Sequence, residues 1–393
     1  NVVDGDAYRI LNVADAASGE HLVNYVRGSD AIPGMRSRTV RMDGDSQARV
    51  WRLGDIVHSS PVVVGRPGDG YDVAYRDISY TDFRNQYLYR QQVVYAGADD
   101  GMIHAFNAGF YSLGSSAFTK GGTHPVTGAA VAEYDLGAEL WAYVPRNLLP
   151  HLRWLGEENY PHVYYVDGEP KAYDVNIFAP DDTHPGGWGT ILVVGFRLGG
   201  GEIALDLDGD AADDFTSRSA YVVLDITDPE SPPKLLAEIT DPNLGFTTGL
   251  PALVKGRMAN LTTGAYDAAA DAWYLAFGSG PAGTSAATRR VALADGVSHQ
   301  SARLYLFNLT TLQFEDMDGA TDGLQPALDT GVLNSFAGDL TAADWDRNYQ
   351  DDALYFGLVE GLAPASPSGS LNRLRFSMDT SGSAPVLTLA ATP

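Results

Sequence analysis

The chain has 393 residues, enough for a large buried core, and 45% of them are hydrophobic, so it is globular and not disordered. With 26 basic against 50 acidic residues, the formal net charge of −24 argues against nucleic acid and anionic membrane surfaces as partners and favours divalent cations. No cysteine occurs, which excludes disulfides and thiolate chemistry, and no apolar run of about 18 residues is present, so membrane insertion is not expected.

The chain opens Asn1-Val-Val-Asp4, neither a methionine nor a signal peptide, and reads as a processed or partial piece of something longer. Residues 1–50 read as a lead-in segment that packs on or closes the fold, and 51–393 as one domain. Strand signals then dominate. Ser60–Val64 is a short apolar run, and Val93–Gly97 leads through Asp99-Asp100-Gly101 into Met102–Phe106. Residues 109–135 read as a long surface loop, Leu140–Trp154 as a helical or irregular insert, and His162–Val166 as a further strand. Thr190–Gly195 leads through an acidic loop into Tyr221–Asp225. Trp273–Gly278 leads, after a loop over 279–302, into Arg303–Phe307, and Ala353–Gly357 leads into Leu371–Arg375. Each unit is an apolar strand ending in Gly, a polar connection, then a second apolar strand.

Four such units at irregular spacing predict an all-β fold, a modified β-propeller with long inserted loops; about seven blades is the expected number, within roughly six to eight. A pair of β-sandwiches is the alternative architecture.

Two loops carry oxygen-bearing side chains at positions one, three, five and nine. The first is Asp206-Leu-Asp208-Gly-Asp210-Ala-Ala-Asp213-Asp214; the second is Asp344-Trp-Asp346-Arg-Asn348-Tyr-Gln350-Asp351-Asp352. Ca²⁺ takes about six to eight oxygen ligands, and carboxylates this crowded repel one another without a cation between them. Asp206, Asp208, Asp210 and Asp214, with the carbonyl of Ala212, form one expected calcium set. Asp344, Asp346, Asn348 and Asp352, with the carbonyl of Gln350, form the other, with one charge fewer because of Asn348. An EF-hand would need a Glu at position twelve and Gly at position six, where φ is positive. Ser217 and Tyr355, and Ala211 and Tyr349, stand there instead. These loops therefore suit hairpin connections better than a helix–loop–helix sensor. A solvated acidic turn is the competing reading.

Leu53-Gly-Asp-Ile-Val-His-Ser-Ser-Pro-Val-Val-Val-Gly65 resembles the opening signature of the C-terminal propeller of the PilY/PilC family of type IV pilus proteins. Tyr95–Asn107 resembles that family's next signature. Glu139–Leu149, Val166-Asp-Gly168, Trp188-Gly-Thr190 and Leu224–Pro229 follow in the family's order, and Asn24–Gly28 resembles the segment before them. The resemblance implies a seven-bladed modified propeller at the cell surface and pilus tip, which supports pilus assembly by opposing retraction and takes part in adhesion and surface sensing. It implies minor pilins at the pilus tip, and a host or abiotic surface, as partners. It also implies a calcium loop in the last third of the domain, at Asp344–Asp352. Two departures stand out: the family's N-terminal adhesin-like half is missing, and its Gly-Asp after the late loop is Gly357-Leu358 here.

Other constellations read as structure. Asp99-Asp100-Gly101 is better explained as a type I′-like hairpin turn than as paired catalytic acids. His58 and His104 read as satisfied core or rim histidines. Gly199-Gly200-Gly201 lacks the Gly-Lys-Ser/Thr ending of a phosphate cradle and reads as a flexible hairpin; Asp316, Asp318 and Asp322 break the acidic rhythm. No G-x-S-x-G elbow occurs. The expected function is non-enzymatic, with Ca²⁺ as the only cofactor. The alternatives are a structural subunit or cap of an extracellular filament and a quinone-dependent propeller dehydrogenase, which would need a funnel of Trp, Arg and carboxylates.

Overall fold

Long apolar runs such as Trp188–Gly195 can be strands only if both faces are covered, and every residue of that run is buried. The computed structural model describes all residues except 1–6, 113, 124–129, 257–271, 318–323, 362–367, 380–385 and 393. It solves the burial problem by stacking antiparallel sheets. The first blade pairs Val62–Val64, Gln92–Gly97, Ile103–Ser112 and Glu139–Tyr143 in sequence order. The second pairs Lys171–Asn176, Trp188–Gly195, Tyr221–Asp225 and Lys234–Ile239. The third pairs Ala252–Gly256, Ala272–Gly278 and Arg303–Asn308, with Gln313–Phe314 and Ala327–Asp329 sharing its outer edge. The fourth pairs Ser335–Ala343, Ala353–Glu360, Ser368–Asp379 and Val386–Thr392.

Side-chain alternation along the strands builds three cores between successive blades. Leu192, Val194, Val222 and Leu224 of the second blade face Val93, Tyr95, Ile103 and Ala105 of the first. The opposite face, Ile191, Val193, Tyr221 and Val223, meets Trp273, Leu275, Phe277 and Tyr305 of the third. Tyr274, Ala276, Leu304 and Leu306 then turn towards Leu340, Leu354 and Phe356 of the fourth. This is the meander-and-stack arrangement of a β-propeller.

The described residues hold four such sheets, against the seven expected. Each of the four strand–turn–strand units supplies two neighbouring strands of one blade, so the units number the blades. His162–Val166 is not a strand; it runs extended past the Asp99 turn, where Tyr165 N donates to Asp99 Oδ1 (2.9 Å). In place of a continuous insert over Leu140–Trp154, Glu139–Tyr143 is a blade strand and only Arg146–Gly156 is 3₁₀-helical. Within 109–135, the Ile103–Ser112 strand extends and pairs with Ala117–Thr119. Within 279–302, Ala286–Asp295 is a helix, closed by a Ser285/Thr288 capping box and by Gly296 at φ +60°.

The lead-in segment contributes the helix Ala16–Val26, N-capped by Asp15, whose side chain accepts from Ser18 N. Its Leu22 and Tyr25 pack with Leu148, Leu152 and Leu155 of the 3₁₀ segment in the first core. A second insert lies between the first two strands of the first blade and carries the helices Tyr71–Ala74 and Ile78–Gln86.

Candidate metal centres

Both acidic loops are hairpin tips. Asp206–Asp214 joins Ile203–Leu205 to Phe215–Ser217, a short ribbon rising from the second blade. Asp344–Asp352 joins the first two strands of the fourth blade. The two loops share one hydrogen-bond scaffold. The first carboxylate accepts from the backbone N–H of position six: Ala211 to Asp206 at 2.9 Å, Tyr349 to Asp344 at 3.1 Å. The third accepts from position five: Asp210 to Asp208, and Asn348 to Asp346, both at 3.1 Å. The fifth accepts from position seven: Ala212 to Asp210 at 2.8 Å, Gln350 to Asn348 at 2.7 Å. The ninth closes the loop on position two: Leu207 to Asp214 at 2.7 Å, Trp345 to Asp352 at 2.6 Å.

The absence of Gly at position six does not prevent an EF-hand-like turn. Ala211 (φ +70°) and Tyr349 (φ +79°) both adopt the left-handed conformation there, as do Gly209 (φ +91°) and Arg347 (φ +58°) at position four. An L-residue with a Cβ holds such a φ only when its surroundings insist. Here the carboxylate of position one, bonded to that same N–H, does so.

One oxygen from each of Asp206, Asp208 and Asp210 lies within 4.8 Å of the others, and the same holds for Asp344, Asp346 and Asp352. Asp214 stands outside the first group, engaged with the N–H groups of Leu207 and Asp208. Asn348 stands beside the second, its Nδ2 donating to Asp346 Oδ2 at 3.1 Å. Backbone N–H bonds from Gly209 and Ala211 hold the Asp206 carboxyl below the usual carboxylate range, with Arg9 adding to the effect. A group of carboxylate oxygens spread over one turn fits a hard, oxygen-seeking cation.

The second loop is wired into the fold, and sequence reasoning missed those contacts. Tyr75 of the insert donates its hydroxyl to Asp344 Oδ2 (2.9 Å). Tyr349 is 3% exposed and donates to Asp77 Oδ2 (3.0 Å), the residue that N-caps the helix Ile78–Gln86. The two tyrosine rings lie 4.2 Å apart. Behind them Tyr71 meets Trp188 of the second blade (5.1 Å), Trp273 of the third (5.5 Å) and Tyr349 (5.8 Å). Asp351, also buried, pairs with Lys255 of the third blade at 3.1 Å. Burial pushes its carboxyl up, against the pull of Lys255. A bulky aromatic at a position that asks for φ > 0 was the available sign that Tyr349 is held by tertiary contacts.

The remaining singled-out residues are structural. Ala98–Gly101 is a turn in which only Gly101 has positive φ (+92°), so it is a type I turn with a Gly bulge and not type I′. Asp100 receives Gly54 N (2.7 Å) and pairs with His104, which also bonds Glu139 (2.6 Å); the two signature segments are thereby tied together. His58 lies on the rim, its Nδ1 on Asp167 Oδ2 at 2.7 Å. The Gly199–Gly201 stretch is close-packed and not loose: a Cβ on Gly199 would collide with Tyr165 O. Asp318 and Asp322 lie outside the described residues; Asp316 accepts from Gln325 N (3.2 Å).

Among known proteins, residues 53–297 match the family model of the PilY1 beta-propeller domain. A type IV pilus biogenesis factor PilY1 homolog of Xylella fastidiosa is 29% identical over 378 residues, covering 91% of this chain and 24% of that protein. The type IV pilus biogenesis factor PilY1 of Pseudomonas aeruginosa is 28% identical over 268 residues, 65% of this chain and 18% of that protein. The crystal structure of the Pseudomonas aeruginosa PilY1 C-terminal domain aligns with a TM-score of 0.43 at 21% identity, over 80% of this chain and 44% of that one. The chain thus spans about a quarter or less of the length of these curated relatives. With a family model covering well over half of its residues, the chain belongs to the PilY1 β-propeller domain family.

Proposed function

We propose that this chain is a calcium-binding, non-enzymatic part of a type IV pilus biogenesis protein, working outside the cell in pilus assembly against retraction and in adhesion at the tip. Minor pilins and a host or abiotic surface are the partners this reading assigns. Family membership supports the pilus role, since the named relatives are type IV pilus biogenesis factors. No helix among the described residues is long and apolar enough to cross a membrane.

The observation that carries the calcium reading is the scaffold repeated in two loops of different sequence, each converging three carboxylates. Of the two, Asp344–Asp352 is the better candidate for control. A cation drawn to Asp344 acts on a side chain already bonded to Tyr75, and so on the insert that touches three blades. Asp206–Asp214, on an exposed ribbon, stiffens a hairpin.

Calcium titration with thermal unfolding tests this on wild type, Asp344→Ala and Asp208→Ala, each against its own chelated baseline. Binding to the folded state adds RT ln(1 + [L]/Kd), about 2.7 kcal/mol at a hundredfold excess over Kd. Each variant is expected to lose part of the calcium-dependent rise in Tm. An unchanged rise in both variants overturns the metal assignment. Normal piliation and twitching in a strain lacking the whole domain overturns the assembly role.

A further inference from the structure

The lead-in segment does more than cover the first blade. Between it and the Asp99 turn lies a cleft of about 260 Å³, remote in sequence from both acidic loops. Residues that line it carry buried polar atoms with no hydrogen-bond partner among the described residues. The Tyr25 hydroxyl, on a side chain 1% exposed, has no hydrogen-bond partner among the described residues. Asp99 is 4% exposed, and only its Oδ1 is used, by Tyr165 N. Its Oδ2 makes no hydrogen bond and faces His162 Nε2 at 3.4 Å. Arg38 spends one terminal nitrogen on the carbonyls of Tyr25 and Ser29, while its Nε makes no hydrogen bond. Buried polar atoms are nearly always paired, and three unpaired ones stand on residues that line this one cleft.

We propose that this cleft is a binding site for a neutral pyranose sugar, free or at the end of a glycan. Charge balance selects the class. Arg36, Arg38 and Arg52 supply cationic donors, and Asp55, Asp99 and Asp100 supply acceptors. An anion would meet the carboxylates and a cation the guanidiniums, whereas each sugar hydroxyl both donates and accepts and satisfies either side. Arg38 lies 3.8 Å over the Tyr25 ring and Arg36 4.1 Å over Tyr160, which fixes two of the donors in direction. The Trp51 side chain is 53% exposed at the cleft and offers a flat apolar face to the C–H side of a pyranose. Burial raises the Asp99 carboxyl to about 6, above the usual carboxylate range.

The test uses the 393-residue chain and the methyl glycosides of glucose, galactose, mannose and N-acetylglucosamine, read by saturation-transfer NMR and calorimetry. The expected result is binding by at least one glycoside at ~1 mM or tighter. Trp51→Ala and Asp99→Asn should each weaken it at least tenfold. Leu333→Ala, a substitution at a residue 75% exposed elsewhere, should leave it unchanged. Trp51→Ala removes only an exposed side chain, so it remains informative if Asp99→Asn fails to fold. A matching immobilised glycan that binds when the free glycoside does not assigns the site to chain ends. No binding by any glycoside or its glycan, binding indifferent to Trp51→Ala, or tighter binding of L-glutamate or L-arginine overturns the proposal.

Discussion

Replacing His104 by Asn should erase a specific pH dependence of stability. His104 is 2% exposed and held between Asp100 (3.1 Å) and Glu139 (2.6 Å). Burial alone would lower its pKa, but the hydrogen bonds and charges of Asp100 and Glu139 override this and raise it to about 9. Its value in the unfolded chain is near 6.5. The folded state therefore holds a proton that the unfolded state gives up between these values. The stabilisation is complete below about pH 6.5 and is lost as pH rises through 9. At 1.36 kcal/mol per pH unit the loss is about 3 kcal/mol. Urea midpoints of wild type and His104→Asn, measured from pH 6 to 9.5, should converge as pH rises. Midpoints that stay parallel across that window would refute the charged, doubly paired histidine.

Three further outcomes follow from the contacts around the second loop and the first turn. Lys255→Met strands the buried Asp351 carboxylate and should cost about 3–5 kcal/mol at neutral pH, read by urea unfolding, with part of the loss recovered in acid as Asp351 protonates. Tyr349→Phe removes the hydroxyl from Asp77 but keeps the ring stack, and should cost about 1 kcal/mol; no change at all would deny the tie between loop and helix. Gly101→Ala places a Cβ at φ +92° against the Leu152 side chain and should cost about 1–3 kcal/mol, measured by thermal unfolding.

Local signals in the sequence marked the central strand pairs and both hairpin loops, because period-two burial and turn chemistry are properties of neighbouring residues. What escaped depends on partners far along the chain. Glu139–Tyr143 is a short, half-buried strand whose only sign is its partner at Ile103–Phe106. Ala286–Asp295 was readable in principle from Ser285, Thr288, Gly296 and its helix-forming alanines, but the Gly and Ser residues on both sides hid it inside a loop. His162–Val166 has strand composition because Tyr165 and Val166 are buried beside the Asp99 turn, where single hydrogen bonds replace a ladder. At the candidate sites, the spacing of the acidic residues foretold that Asp206, Asp208 and Asp210, and Asp344, Asp346 and Asp352, come together, but not that Asp214 stands apart. It was silent on Tyr75 and Asp77, some 270 residues away from the loop they hold.

The insert of the first blade has a mechanical consequence. A pile of units that touch only their neighbours frays from its end, one unit at a time. Tyr71 and Tyr75 reach past the second and third blades to the ring of Tyr349, so the last blade is stapled to the first. Peeling the fourth blade away must break that staple, which distributes a pull on the C-terminal strands across the whole domain. Such load-sharing sets how much tension the domain bears before any one sheet gives way.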